Sequence, residues 1–131
     1  MKFCGIEHFY GNYFYWIDGF FCDASRNILI ANQNFNDTGS GYTNYGQGAA
    51  VNLGGYISDI QGGTETGFVM KGNTGSTTTY YSDYGALMAG YLTRFGADWN
   101  NGSNGGAFYL QAIDSAAAAN SNLTSRVSLC V

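Results

Sequence analysis

The segment from Asp98 to Gln111 holds the side chains best suited to contacting a ligand. Its sequence, D-W-N-N-G-S-N-G-G-A-F-Y-L-Q, is dominated by amides, hydroxyls and a phenol rather than by charges. Such groups bind a glycan or a protein without ionic attraction, and the mixture of Tyr, Ser, Gly and Asn is typical of antibody paratopes. The residues predicted to form the binding face are Asn100, Asn101, Ser103, Asn104, Tyr109 and Gln111, with Tyr42, Tyr45 and Tyr84 as neighbours from other loops.

Alternation along a predicted strand at 107–113 indicates which of these side chains face solvent. Tyr109 and Gln111 are two residues apart and share one face, which we predict to be exposed, whereas Phe108 and Leu110 should face the core. Trp99 is predicted to be a buried anchor for the loop, the alternative being an exposed ring on which a ligand stacks. The residues predicted to be structural are Trp16, Trp99, Phe108 and Arg126.

The titratable side chains offer little material for catalysis. The one histidine, His8, accompanies no recognisable nucleophile elbow. Asp18, Asp59, Asp83 and Asp98 are scattered, and we predict that they cap turns. We therefore expect no enzymatic activity and no cofactor.

A metal or phosphate site is also not expected. Asp98, Asn100, Asn101 and Asn104 could supply oxygen ligands to calcium, but only one of the four is charged. The glycine-rich run at 102–106 lacks the lysine of a phosphate-binding loop. These residues are predicted to shape the backbone instead.

Composition limits the class of protein. A chain of 131 residues corresponds to one domain, 1–131, and 45% hydrophobic residues with 11% charged residues exclude a disordered chain. Five Lys and Arg against nine Asp and Glu give a net charge of −4, which disfavours nucleic acid as a partner. No run approaches the ~20 apolar residues of a membrane span. Twenty glycines without a proline predict many tight turns.

The chain pattern predicts an irregular, loop-rich and mostly β fold with little helix. An aromatic run at 12–22, a turn at 23–27 and an apolar run at 28–30 predict a hairpin. The alanines at 116–119 are too few for more than one helical turn. The other predicted strands are 67–71, 87–95, 107–113 and 126–131, with polar loops at 33–48, 72–79 and 98–106.

The three cysteines and the N-terminus bear on the chain's environment. We slightly favour reduced thiols at Cys4, Cys22 and Cys130, the alternative being a Cys4–Cys130 bridge if the terminal strands pair. Residues 1–10 lack the basic and apolar regions of a signal peptide. The abrupt apolar start suggests a domain from the C-terminal part of a longer chain, although a complete small protein is an alternative.

Several segments resemble a known domain family. The run 11–19, G-N-Y-F-Y-W-I-D-G, resembles the G-N-x-x-x-W-x-D-G segment of C-type-lectin-like domains in phage and prophage tail and other structural proteins, preceded by the similar G-I-E run at 5–7. The run 101–110, N-G-S-N-G-G-A-F-Y-L, resembles the family's N-G-S-x-A-G-x-F-Y-L. Weaker matches are 94–99 with R-G-G-x-W and 121–127 with S-N-x-x-I-G-x-R-L. Phe95 and Asp98 disturb the first of these weaker motifs, and Thr124-Ser125 replaces Ile-Gly in the second.

The resemblance implies an α+β, mostly β, C-type-lectin-like fold and a non-catalytic receptor-binding domain of a virion. Members of this family are often receptor-binding tips that recognise host-surface glycans or proteins, and such tips are commonly homotrimeric. Some members are variable proteins of diversity-generating retroelements, whose C-terminal region is diversified. The Asn, Ser, Tyr, Asp and Thr residues at 98–122 are compatible with such diversification and equally with a plain polar loop. Formylglycine-generating enzymes share the G-N-x-x-x-W pattern, but their paired active-site cysteines have no counterpart near Trp99. The alternatives, in order, are a virion structural or decoration domain that contacts other virion proteins, a bacterial surface adhesin, and an enzyme.

Overall fold

The computed structural model describes residues 2–3, 6–7, 10–48, 54–62, 69–78, 83–106 and 108–124. These residues form twelve short β-strands and one 3-10 turn, Gly102–Asn104. The strands are β1 Lys2–Phe3, β2 Ile6–Glu7, β3 Phe14–Cys22, β4 Asn27–Ile30, β5 Thr43–Gln47, β6 Gly55–Tyr56, β7 Asp59–Gln61, β8 Val69–Gly72, β9 Tyr84–Leu87, β10 Tyr91–Phe95, β11 Leu110–Asp114 and β12 Leu123–Thr124. The mostly β prediction is confirmed, and the described residues contain no α-helix.

An eight-stranded curled sheet organises the molecule. Its order is β5-β4-β3-β10-β11-β9-β6, and β12 adds to the start of β3 in parallel. Most neighbours are antiparallel, but β11 and β9 run parallel. The pairs β1–β2 and β7–β8 form two separate antiparallel ribbons. Strands β3, β10 and β11 therefore lie at the centre and position the segment that follows β10.

The predicted hairpin at 12–30 is confirmed as β3 and β4. Phe20, Phe21 and Cys22 pair with Ile30, Leu29 and Ile28. The Asp23 carboxylate accepts hydrogen bonds from the backbone N–H groups of Ser25 and Asn27, at 2.8 Å each. A short polar side chain at the first turn position thus fixes the reversal locally, as an Asx-turn does.

Two clusters form the core. The larger is built mainly from aliphatic residues: Phe20, Cys22, Ile28, Ile57, Val69, Met70, Leu87 and Ala112. The smaller lies at the other end of β3 and consists of Phe14, Ala97 and Tyr109, with Tyr84 and Leu123 packed against it. The smaller cluster underlies the loop at 98–106 and supports it from below.

Two predicted elements differ in the structure. The stretch predicted as one strand at 87–95 is divided into β9 and β10 by a turn, in which Gly90 N–H donates to the Cys22 carbonyl. Residues 43–47, predicted as loop, form the edge strand β5 paired with β4. Their sequence T-N-Y-G-Q lacks apolar alternation because an edge strand is held largely by backbone hydrogen bonds. The predicted strand 126–131 and the residues Cys4, His8, Arg126 and Cys130 lie outside the described residues.

The single turn predicted at 116–119 agrees with the structure, in which Ala118 N–H donates to the Ser115 carbonyl. Within the described part of the chain, no helix is long and apolar enough to cross a membrane.

Cys22 is expected to be a poorly reactive thiol. It is a free cysteine with 0% exposure, and burial, with a smaller contribution from Asp23, raises its pKa from 9.0 to about 11. At pH 8 the thiolate fraction is about 10% in the unfolded chain and about 0.1% in the folded protein. Alkylation should therefore be about a hundredfold slower in the native protein than in urea. Iodoacetamide labelling followed by peptide mapping measures both rates, and equal rates would contradict the buried position.

The same shift gives a pH dependence of stability. Raising the pH above 9 removes the Cys22 proton from the unfolded chain before it does so from the folded chain. This contribution to stability is complete below pH 9 and is lost as the pH rises towards 11, so C22A should flatten the decline in that range.

Candidate functional site

The loop at 98–106, which we call the polar loop, leaves β10 through a sharp left-handed turn. Ala97 has φ +56°, which is unusual for a residue with a side chain, and its methyl group is fully buried among the smaller core cluster. Left-handed backbone costs such a residue about 1 kcal/mol, so the surroundings must hold it in place. The turn directs Asp98 inwards and Trp99 outwards.

Asp98 anchors the polar loop from inside. Its side chain is buried, and its two carboxylate oxygens accept hydrogen bonds from the backbone N–H of Asn100 at 3.1 Å and from Nδ2 of Asn122. The Asn101 Oδ1 atom accepts from the Asp98 N–H at 2.9 Å, and Asp98 also forms a backbone bridge with Asn12. The loop is therefore attached both to the segment before β3 and to the segment before β12.

A buried polar chain runs beneath the loop along β10 and β11. The Tyr109 hydroxyl accepts from Asn101 Nδ2 at 3.4 Å and from Gln111 Nε2. Arg94 donates to the Gln111 side-chain Oε1 at 3.0 Å and 3.3 Å and forms an ion pair with Asp114 at 2.5 Å. The guanidinium carbon also lies 4.0 Å from the centre of the Phe14 ring.

Burial disfavours the charged forms of the side chains in this hydrogen-bonded network. It lowers the pKa of Arg94, against the attraction of Asp114, and it raises the pKa of the Tyr109 phenol despite the nearby guanidinium. Tyr109 is therefore a neutral hydrogen-bonding group at ordinary pH, while Arg94 stays charged because an arginine cannot be deprotonated in practice. The charges of this network are paired within the protein.

Aromatic rings complete the support of the site. The Tyr109 ring lies between Phe14 and Tyr84, with centroid distances of 5.5 Å and 6.2 Å. Tyr84 in turn meets Tyr56 edge to face at 5.6 Å, and the Tyr56 hydroxyl donates to Asn104 Oδ1 at 2.6 Å. The far end of the polar loop is thus held by strand β6.

Among the described side chains of residues 98–108, four face solvent. Trp99 is 69% exposed and Phe108 is 58% exposed, and Asn100 and Ser103 are exposed between them in the sequence. The backbone N–H of Phe108 donates to the Asp83 carboxylate at 2.6 Å, which fixes the turn that carries the ring. Aromatic faces and uncharged polar groups are therefore presented from a rigid backbone.

The predicted strand alternation was wrong at this site. Tyr109 is 1% exposed and Gln111 is 8% exposed, although both were predicted to face solvent, and Phe108 is exposed although it was predicted to be structural and to face the core. Phe108 precedes β11, which begins at Leu110, so the period of two does not apply to it. Within β11 both faces are covered, because Leu110 packs on the larger core cluster while Tyr109, just before the strand, belongs to the smaller one.

The prediction that Trp99 is a buried anchor was also wrong. The inward position in the loop is occupied by Asp98, and the anchor is a carboxylate rather than an indole. Asn100 and Ser103 are exposed as predicted. Asn101 and Asn104 are half-buried, with amide groups that hydrogen-bond inwards to Tyr109 and Tyr56.

The three predicted tyrosine neighbours separate in the structure. Tyr84 lies beside Tyr109, as described above. Tyr42 instead exchanges hydrogen bonds with the backbone of Asn36 and closes the loop before β5. Tyr45 lies in β5 beside a small cavity of about 30 Å³, where Ile28 and Val69 are also found. Tyr42 thus belongs to the loop before β5 and Tyr45 lies against residues of the larger core cluster, whereas the polar loop lies over the smaller cluster. The structure therefore does not bring these two tyrosines to the site.

Trp16 is half-buried in β3 and lines an open groove of about 440 Å³. The other lining residues are Ala118, Ala119, Asn120, Ser121, Leu123 and Thr124. The groove adjoins the polar loop through Asn122, which donates to Asp98.

Sequence reasoning missed Arg94, Asp114 and Tyr56 as members of the site. Arg94 carried a usable signal, since a lone charge inside an otherwise apolar strand usually has a buried partner. Asp114 and Tyr56 carried none, because only the pairing of β10 with β11 and of β6 with β9 brings them here.

Two of the four singled-out aspartates have the predicted turn or cap roles, since Asp98 and Asp83 accept backbone N–H groups of turn residues at the site. Asp59 instead lies in β7, where it pairs with Lys71, and Asp18 is exposed in β3. Among the side chains that the structure describes, no three His, Cys, Asp or Glu residues gather as metal ligands.

Comparison with known proteins gives no relative: no family model matches the chain, and no curated protein and no solved structure is significantly similar to it.

Proposed function

We propose that this chain is a non-catalytic, C-type-lectin-like receptor-binding domain of a phage tail or other virion protein, which recognises a glycan or protein on the host surface. The sequence motifs at 11–19 and 101–110 supply the family part of this proposal. As in the tail-tip domains that these motifs resemble, three copies would act together, so that simultaneous engagement raises avidity. Its partners are then host-surface molecules and neighbouring virion proteins.

The observation that carries the proposal is the exposed Trp99 ring on the polar loop, which is hydrogen-bonded to three other segments of the fold. A 69% exposed indole costs solvation free energy unless a partner covers it, and Trp is among the residues most enriched at binding hot spots. The backbone beneath it is held by Asp98 and Asn101, so little conformational entropy is lost when a ligand binds. An exposed aromatic side chain on a rigid loop is typical of a recognition surface.

Binding of the purified domain to a panel of Gram-positive and gut bacterial cells, with and without a chelator, tests this function. We expect W99A to bind roughly 5- to 30-fold more weakly, because one buried aromatic contact is worth about 1–2 kcal/mol. F35A is the matched control, since Phe35 is 52% exposed and lies against Gly19 on the β4 side of the sheet.

Three results are informative in this experiment. Loss in W99A with retention in F35A supports the proposed face, and chelator-insensitive binding agrees with a site that needs no calcium. Equal binding by W99A and the wild type would show that the binding face lies elsewhere on the domain. A folded domain that binds none of the cells would favour the virion structural role instead.

A further inference from the structure

The exposed aromatic side chains concentrate at one end of the sheet. Among the described side chains, five large apolar ones are exposed: Tyr13, Phe35, Met88, Trp99 and Phe108. Asn12 and Asp98 form a parallel backbone bridge, so the next residue of each segment, Tyr13 and Trp99, emerge at the same end. The Asn101–Tyr109 hydrogen bond brings the turn that carries Phe108 to the same loop.

Tyr13, Trp99 and Phe108 thus form a set that we call the aromatic rim. The segments that carry them are far apart in sequence and are joined by the hydrogen bonds that fasten the polar loop. Tyr13 and Phe108 are exposed although their neighbours Phe14 and Tyr109 are among the most buried residues described. The fold therefore presents these rings while burying the adjacent ones.

The polar loop presents no exposed charged side chain. The nearby Asp83 is half-buried, and its carboxylate accepts the Phe108 N–H at 2.6 Å. The ionisable residue of the polar loop, Asp98, is 6% exposed and has both carboxylate oxygens hydrogen-bonded inside the protein. Arg94 is also buried and is paired with Asp114. The exposed polar side chains, Asn100 and Ser103, are neutral donors and acceptors. An anionic ligand would gain no ionic attraction from these residues.

We infer that the ligand of this site is a neutral carbohydrate whose pyranose rings stack on the aromatic rim, and this inference rests on the proposed function. One face of a pyranose carries C–H groups, which suit the electron-rich face of an aromatic ring, and its edge carries hydroxyls. Asn100 and Ser103 supply uncharged hydrogen-bonding groups for those hydroxyls. A specific protein partner would need ~20–30 contact residues a side, far more than the rim and the exposed loop residues provide.

Chemical treatment of the bound cells separates a glycan from a protein ligand. Periodate cleaves the vicinal diols of sugars and leaves most protein epitopes intact, whereas proteinase K removes surface proteins. We expect binding of the wild-type domain to be lost after periodate and retained after proteinase K. The reverse pattern would overturn the carbohydrate inference but would still support the receptor-binding function. If the domain does not bind untreated cells, the receptor-binding function itself is contradicted.

If both treatments abolish binding, glycans released from the cells decide the matter: binding to them supports the inference, and its absence overturns it. Binding should also change less than about twofold when salt is raised from about 50 to 500 mM, because an uncharged contact is not screened. A strong fall with salt would point to an anionic or cationic ligand instead.

Tryptophan fluorescence shows whether the ligand contacts Trp99. The chain has two tryptophans, so W16F leaves Trp99 as the sole indole reporter. Titration with neutral hexose oligosaccharides that bind the wild type should shift Trp99 emission, whereas sialylated and uronic-acid oligosaccharides should not. W99F should retain binding within about threefold and W99A should lose roughly tenfold. Binding that leaves Trp99 emission and W99A affinity unchanged would overturn the stacking geometry.

Discussion

Replacing Arg94 with alanine is expected to lower the free energy of unfolding by about 3 kcal/mol or more. The guanidinium pairs with Asp114 at 2.5 Å, donates twice to Gln111 and covers the Phe14 ring at 4.0 Å. Its removal leaves a carboxylate without its cation, an amide oxygen without its donor and a cavity beside the ring. Urea unfolding followed by circular dichroism measures the change.

Two further variants show that the loss arises from burial. Lys71 forms an ion pair with Asp59 at 3.4 Å, but both side chains are more than half exposed, so K71A should cost less than about 0.5 kcal/mol. R94K keeps the charge without the planar fork and should fall between the wild type and R94A. A cost below about 1 kcal/mol for R94A would show that the network contributes little to stability.

Replacing Gly19 with alanine is expected to cost about 3 kcal/mol or more, or to prevent folding. Gly19 lies in the middle of β3 with φ +79°, and a Cβ atom there would stand 2.2 Å from the Ala31 carbonyl oxygen and 2.8 Å from the Phe35 ring. That carbonyl belongs to the backbone and cannot rotate away, while Ala31 N–H already donates to the Gly19 carbonyl at 2.9 Å. Thermal and urea unfolding of the purified variant measure the effect.

Gly11 provides the matched control for this substitution. Its φ is +82°, nearly the same, but no atom of the described residues lies within 4 Å of the position a Cβ would take. G11A should therefore show only the cost of left-handed backbone, about 1 kcal/mol. Equal losses in G11A and G19A would mean that the close approach of Ala31 relaxes at little cost.

Local chemistry explains which parts of the fold were predictable. The hairpin of β3 and β4 followed from an aromatic run, a turn headed by Asp23 and a short apolar return, all within a few residues of one another. The edge strand β5 was not predictable in this way, because its pairing with β4 uses backbone groups that every residue has.

The candidate site was predictable in place but not in orientation. The alternation argument assumed that one face of β11 meets solvent, yet this strand lies between β9 and β10 with core on both faces. Trp99 was predicted to face inwards because large aromatic rings are usually buried. Its neighbour Asp98 faces inwards instead, because backbone and amide donors inside the protein hydrogen-bond to its carboxylate. Which of two adjacent residues turns inwards depends on partners as distant as Asn122, and these are visible only in the folded chain.

The way in which Asp98 is held has a consequence for how this surface could change over generations. The hydrogen bond from residue 100 to the carboxylate comes from the backbone N–H, so it survives any side chain there except proline. Ser103 likewise projects outwards from a loop whose shape depends on Asn101, Asn104 and Asn122. Side chains at positions 99, 100 and 103 are exposed and can therefore be replaced with little loss of stability while the framework residues stay constant.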